Sequence, residues 1–136
     1  MKSAPNIFVD AAHNPHGAAA LARALDSEFG FRKLVAVVAV MSDKDAEGIL
    51  SALEPVVQEL VITTNSSPRA MDPDRLAGLA VPIFGEDRFE VRPRLDDAIE
   101  EAIRLTEDEL SGGGVIVTGS VVTAGEARAL FGKEPA

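Results

Sequence analysis

Cysteine, tryptophan and tyrosine are absent from the 136 residues, and only six phenylalanines carry a benzene ring. Without cysteine there is no disulfide, no thiolate metal site and no cysteine nucleophile. Basic residues are scarce: 13 Lys and Arg stand against 22 Asp and Glu, a net charge of −9. Such a field repels phosphate backbones and argues against nucleic-acid binding. No apolar run approaches the ~18 residues of a membrane span, and the start MKSAPNIFVD lacks a signal-peptide core. A cytoplasmic protein without membrane contact is expected. Several catalytic signatures are missing as well. There is no G-x-x-x-x-G-K-S/T phosphate loop, and no G-x-G-x-x-G follows the first apolar run. No serine sits in a nucleophile elbow, and neither a Ser/His/Asp triad nor a catalytic carboxylate pair is evident.

What is present reads as one ordinary globule, with 46% hydrophobic and 26% charged residues. Residues 1–5 read as a tail and 6–136 as a single domain. Short apolar runs occur at Ile7–Val9, Leu34–Val40, Leu60–Ile62 and Val115–Val117, with Phe89–Val91 a weaker fifth. The run Leu34–Val40 has no polar alternation, as in a strand covered on both faces. Helical patterns lie between these runs. The first has Asn14 as cap and Pro15 at its first position, and ends at Gly30. The second starts near Ser42 and Asp43 and runs to Pro55. The third has Asp72 as cap and Pro73 at its first position. The fourth runs from about Leu95 to Leu110, and the fifth from about Val121 to Phe131, closed by Gly132. This alternation predicts an α/β fold: a mostly parallel sheet of about five or six strands with helices on both faces.

In such a sheet, ligands bind outside the carboxyl ends of the strands. Polar clusters fall at those ends: Asp10 to Gly17, Met41 to Asp45, Thr63 to Arg69, and Thr118-Gly119-Ser120. Each also has a plain reading. Asn14, Ser42 and Asp72 serve as helix caps, Ser66-Ser67-Pro68 as a turn, Arg69 as a solvated loop charge and Lys44 as a surface ion pair. Asp10 directly follows a buried strand and needs either a donor or a function. Asp10, His13 and His16 have a spacing that suits a metal, but no second ligand cluster accompanies them, so no metal site is assigned. The first helix start offers N–H donors to a phosphate or carboxylate. On these grounds alone the chain is a small-molecule-binding α/β domain with an anion-friendly rim.

The segment Asp10-Ala11-Ala12-His13-Asn14-Pro15-His16-Gly17 resembles the D-G/A-A-H-N-P-H-G signature of the folylpolyglutamate synthase/dihydrofolate synthase family. Three further segments match in order. Val40-Met41-Ser42-Asp43-Lys44-Asp45 is similar to its A-D-K-D loop, with Met41-Ser42 in place of a shorter or smaller pair, and Thr63-Thr64-Asn65-Ser66-Ser67-Pro68-Arg69-Ala70 to its T-x-x-x-S-P-R-A segment. Residues Val117 to Arg128 are similar to its closing V-x-G-S-L-Y-L-V-G-E-x-R, without the aromatic residue. The resemblance implies a Rossmann-like three-layer α/β/α domain, the C-terminal domain of a Mur-type ligase expected without its N-terminal P-loop ATPase half. It implies ATP-driven addition of L-glutamate to folate or dihydropteroate through an acyl phosphate, with ATP and Mg²⁺ as requirements of the full-length enzyme. The isolated chain is expected to bind nucleotide weakly and to be inactive. By the same resemblance Asp10, His13 and Asn14 bind nucleotide and His13 is catalytic. Ser120 helps hold glutamate, and Arg69 and Lys44, cations on the same rim, meet the glutamate carboxylates or the partner domain. A non-catalytic α/β binding module and the C-terminal domain of a cell-wall Mur ligase are the alternatives.

Overall fold

A computed structural model describes residues 6–29, 33–107 and 113–132. The elements are β1 (Asn6–Val9), α1 (Pro15–Phe29), β2 (Leu34–Val38), α2 (Ala46–Leu53), β3 (Glu59–Ile62), α3 (Pro73–Phe84), β4 (Phe89–Val91), α4 (Leu95–Thr106), β5 (Gly114–Thr118) and α5 (Val121–Gly132). A short 3₁₀ turn, Glu86–Arg88, leads into β4. The five strands form one sheet in the order β1-β5-β2-β3-β4, and all pairs are parallel.

Alternating side chains divide the interior into two cores. Ala36, Val38, Leu60, Ile62 and Ile116 face Leu25 of α1, Ile49, Leu50 and Leu53 of α2, and Leu76, Ala80 and Phe84 of α3. Val35, Val37, Val61, Val115 and Val117 face Ala98, Ile99 and Ala102 of α4 and Ala127 of α5. The period of two in a strand puts neighbours on opposite faces, so an unbroken apolar run is what a doubly covered strand requires. Every residue from Leu34 to Val40 is buried. Each such Val or Leu stabilises the fold by roughly 1.5–3 kcal/mol relative to exposure.

The helix starts follow the capping chemistry, with one difference. The Asn14 side chain accepts from the Gly17 N–H at 2.7 Å, and Pro15 occupies the first helical position. The Asp72 carboxylate accepts from the Asp74 N–H at 2.9 Å. The cap of α2 is Asp45, which accepts from the Gly48 N–H at 2.9 Å, and not Ser42 or Asp43. The Ser42 N–H donates to the Arg69 carbonyl at 2.7 Å, and the Lys44 N–H closes a turn onto Met41. The backbone there is held by the neighbouring loop, so the helix starts later. Gly30 and Leu110, expected at helix ends, lie outside the described residues.

The order of the strands positions the site. β5 inserts between β1 and β2. The chain leaves β1, β2 and β3 toward the face carrying α1, α2 and α3, and leaves β4 and β5 toward the opposite face. The loop after β5 therefore diverges from those after β1 and β2, the arrangement whose crevice at the carboxyl ends takes ligands in open α/β sheets.

Candidate functional site

Asp10 follows β1 at this crevice. Its N–H continues the sheet by donating to the Val117 carbonyl at 3.0 Å. Its Oδ1 accepts from the Ala12 N–H at 2.8 Å, which curls the loop back on itself. The residue is half-buried, and Oδ2 makes no hydrogen bond among the described residues. The His13 ring is exposed, with Nδ1 3.1 Å from the Ala11 carbonyl. A carbonyl only accepts, so Nδ1 donates in this contact, and Nε2 makes no hydrogen bond among the described residues. His16 is exposed in the first turn of α1. Among the described residues, no three His, Asp or Glu side chains group as a metal site.

The loop after β5 is locked against this one. The Gly119 N–H donates to the Ala12 carbonyl at 3.1 Å. Gly119 has φ +117°, and a Cβ there would lie 2.4 Å from the Ala39 carbonyl oxygen, so only glycine fits. The structure turns the next residue, Ser120, inward. It is 1% exposed, and its Oγ accepts from the Thr123 N–H at 2.9 Å as the cap of α5. The Thr123 hydroxyl donates to the Ala39 carbonyl at 2.9 Å. The 2.8 Å contact between the two hydroxyls therefore uses the Ser120 proton. Asn65 Nδ2 approaches both hydroxyls, at 3.4 Å from Ser120 and 3.0 Å from Thr123. Ser120 is thus fully occupied by its own fold, and a direct bond to a ligand requires this network to open.

The two cations lie further along the same edge. A bridge between Met41 and Ala70, with the Ser42–Arg69 and Met71–Val40 backbone bonds, joins the loops after β2 and β3. Arg69 Nη2 is 2.6 Å from Asp43 Oδ2, with both side chains largely exposed. Lys44 is exposed, and its ammonium has no partner among the described residues. A continuous series of bonds therefore runs from the Asp10 loop through Gly119 and its neighbour Thr118 to Ala39, Thr123, Asn65 and the Arg69 loop. The expected site residues share one edge of the sheet. A cleft of about 500 Å³ opens beside them between Thr64, Asn65, Arg94, Leu95, Glu126 and Leu130. Its charges are already paired, Arg94 with Asp96 at 2.8 Å and the Glu126 carboxylate with the Ser66 N–H at 3.1 Å and its hydroxyl. Asn65, Thr123 and Glu126 were not singled out in the sequence. Asn65 and Thr123 lie 58 positions apart, and no local pattern reports such a pairing.

A sequence model of the Mur ligase, glutamate ligase domain family matches residues 1–121. The chain belongs to this family. The dihydrofolate synthase/folylpolyglutamate synthase of Mycobacterium tuberculosis is 51% identical over 145 aligned residues, covering 99% of this chain and 30% of that protein. A crystal structure of the M. tuberculosis folylpolyglutamate synthase complexed with ADP and AMPPCP superposes with a TM-score of 0.91 at 52% identity, over all of this chain and 32% of that one. The Thermotoga maritima folylpolyglutamate synthase gives 0.82 at 30% identity, over 97% of this chain and 29% of that one. This Mur ligase domain thus spans about a third of the length of the relatives it matches. No helix among its described residues is long and apolar enough to cross a membrane.

Proposed function

We propose that this domain forms one wall of the reaction chamber of a cytoplasmic, ATP-dependent ligase that adds L-glutamate to folate or dihydropteroate. The observation that carries the reading is the Asp10–His13 loop, tied through Gly119 to the crevice at β5. In the proposed reaction, a substrate carboxylate oxygen attacks the γ-phosphorus of ATP and ADP leaves. The glutamate amine then attacks the acyl phosphate carbonyl, inorganic phosphate leaves, and the amine gives up a proton. An acyl phosphate hydrolyses in water, so the chamber must close between two domains. The P-loop ATPase half supplies the opposite wall.

Within this scheme Asp10 binds the ribose. Ala12 fixes its Oδ1, and the free Oδ2 accepts from the hydroxyls. His13 presents Nε2 toward the phosphate and amine region, where an acceptor takes up the amine proton. Asn14 shapes the loop by capping α1. Lys44 and Arg69 meet the glutamate carboxylates. The Asp43–Arg69 pair suits exchange for a substrate carboxylate, because an exposed ion pair is worth only about 0–1 kcal/mol. Ser120 contributes through its buried network. Mg²⁺ accompanies the ATP phosphates as a requirement of the full-length enzyme. By itself the chain binds nucleotide weakly and does not catalyse ligation, since phosphoryl transfer depends on positioning by the phosphate cradle.

The test is a domain exchange. The matching third of the M. tuberculosis synthase is replaced by this chain, and ATP-dependent glutamate addition is assayed. Asp10→Ala is expected to raise the ATP KM by about 5- to 100-fold, the scale of one hydrogen bond to a charged acceptor. An unchanged KM rejects the ribose role. His13→Ala is expected to lower kcat more than it raises the ATP KM.

A further inference from the structure

The family resemblance assigns no task to Asn65. It is 8% exposed, yet each end of its amide is engaged on a different loop. Oδ1 accepts from the Ser67 N–H at 2.9 Å, and the Ser67 hydroxyl in turn accepts from the Arg69 N–H at 3.1 Å. Nδ2 donates to Thr123 at 3.0 Å and points to Ser120 at 3.4 Å and Met41 Sδ at 3.9 Å. The orientation of the amide is dictated by its partners, because only an oxygen can accept from the Ser67 N–H. A single buried side chain therefore connects the start of α5 with the turn that carries Arg69. The only other side-chain link between that turn and α5 among the described residues is Glu126, which holds Ser66 at the exposed surface.

We propose that Asn65 is a positioning residue that sets the Arg69 turn relative to the β5 crevice and so tunes recognition of the glutamate carboxylates. This rests on the reading that Arg69 meets glutamate. Asn65 does not touch the ligand. It acts through Ser67 on the backbone of Arg69, and its own anchor is Thr123, which is fully buried and out of reach of any ligand.

Removal of the anchor should consequently reproduce removal of Asn65. The test uses the ¹⁵N-labelled 136-residue chain, titrated separately with L-glutamate and with ADP while amide shifts are followed. Asn65→Ala and Thr123→Val are both expected to raise the glutamate Kd about fivefold while leaving the ADP Kd within about twofold, the size of one lost hydrogen bond. Thr123→Ser, which keeps the hydroxyl, is expected to restore the wild-type value. Asn65→Ser provides a smaller polar replacement should the alanine variant fold poorly. An unchanged glutamate Kd in the variants overturns the proposal. A parallel loss of both affinities together with a lowered Tm also overturns it, since that is the mark of a purely structural role. If the wild-type chain responds to neither ligand, the ligase reading itself falls, and this inference falls with it.

Discussion

The two ends of the sheet use their polar residues differently. At the amino ends, side chains are consumed by backbone groups and by one another. Gln58 Oε1 accepts from the Leu34 N–H at 2.6 Å, and Lys33 lies 3.5 Å from Glu59. Arg88 donates to the Val57 and Gln58 carbonyls at 2.8 and 3.1 Å, pairs with Glu54 at 2.9 Å and covers the Phe84 ring. At the carboxyl ends of β1, β5 and β2, the backbone groups are satisfied by one another and by a buried network of Asn65, Ser120 and Thr123. Among the described residues that leaves Asp10 Oδ2, His13 Nε2 and the Lys44 ammonium without a structural partner. A polar group at a strand end that its own fold does not use is available for chemistry. The same residue types at the opposite end are fasteners.

That contrast can be broken at either end. Gly119→Ala should have the largest effect on stability, since it combines a strained φ with a Cβ that strikes the Ala39 backbone. A loss of about 3 kcal/mol or more is expected in urea denaturation. Arg88→Ala should cost about 2 kcal/mol by stranding two carbonyls, and should leave any ligand response at the other end untouched. A change in nucleotide response on losing Arg88 would contradict the division of labour.

A third region, at the edge of the sheet, sharpens the comparison through pH. The nearly buried Glu101 is held down to about 2, chiefly by its hydrogen bonds from Arg104, while burial and the neighbouring Glu101 raise Glu90. The two shifts act in opposite senses. A depressed carboxyl stabilises above its ordinary value of 4.5, and that contribution is lost as pH falls toward 2. A raised carboxyl stabilises below its ordinary value and loses that contribution as pH rises. Glu101→Gln should therefore lower stability by about 1–2 kcal/mol at pH 7, with the difference from wild type shrinking as pH falls through the window below 4.5. Denaturant titrations at several pH values would show it. A difference that grows in acid would reverse the assignment.

Much of this was legible in the residues themselves. The unbroken run from Leu34 to Val40 announced a doubly covered strand, and Asn14-Pro15 and Asp72-Pro73 announced helix starts by local chemistry. The weak run Phe89–Val91 is a strand because β3 pairs with it. What stayed hidden depends on distant partners. Ser42 carries a good cap side chain, but its backbone is claimed by Arg69, so α2 waits for Asp45. The insertion of β5 between β1 and β2 follows from no local pattern, and it alone brings Gly119 to Ala12. The sequence marks Ser120 as polar at a strand end. The hydrogen bonds that Thr123 and Asn65 make to it depend in part on a residue 55 positions away.

The most direct test of the central claim is the footprint of ADP on the wild-type chain, read from amide shifts and compared with Asp10→Ala. Shifts are predicted at residues 10–14 and at Gly119 and Ser120, with the response lost in the variant. Shifts centred on Lys33, Gln58 and Arg88, or a footprint indifferent to Asp10, would contradict the account.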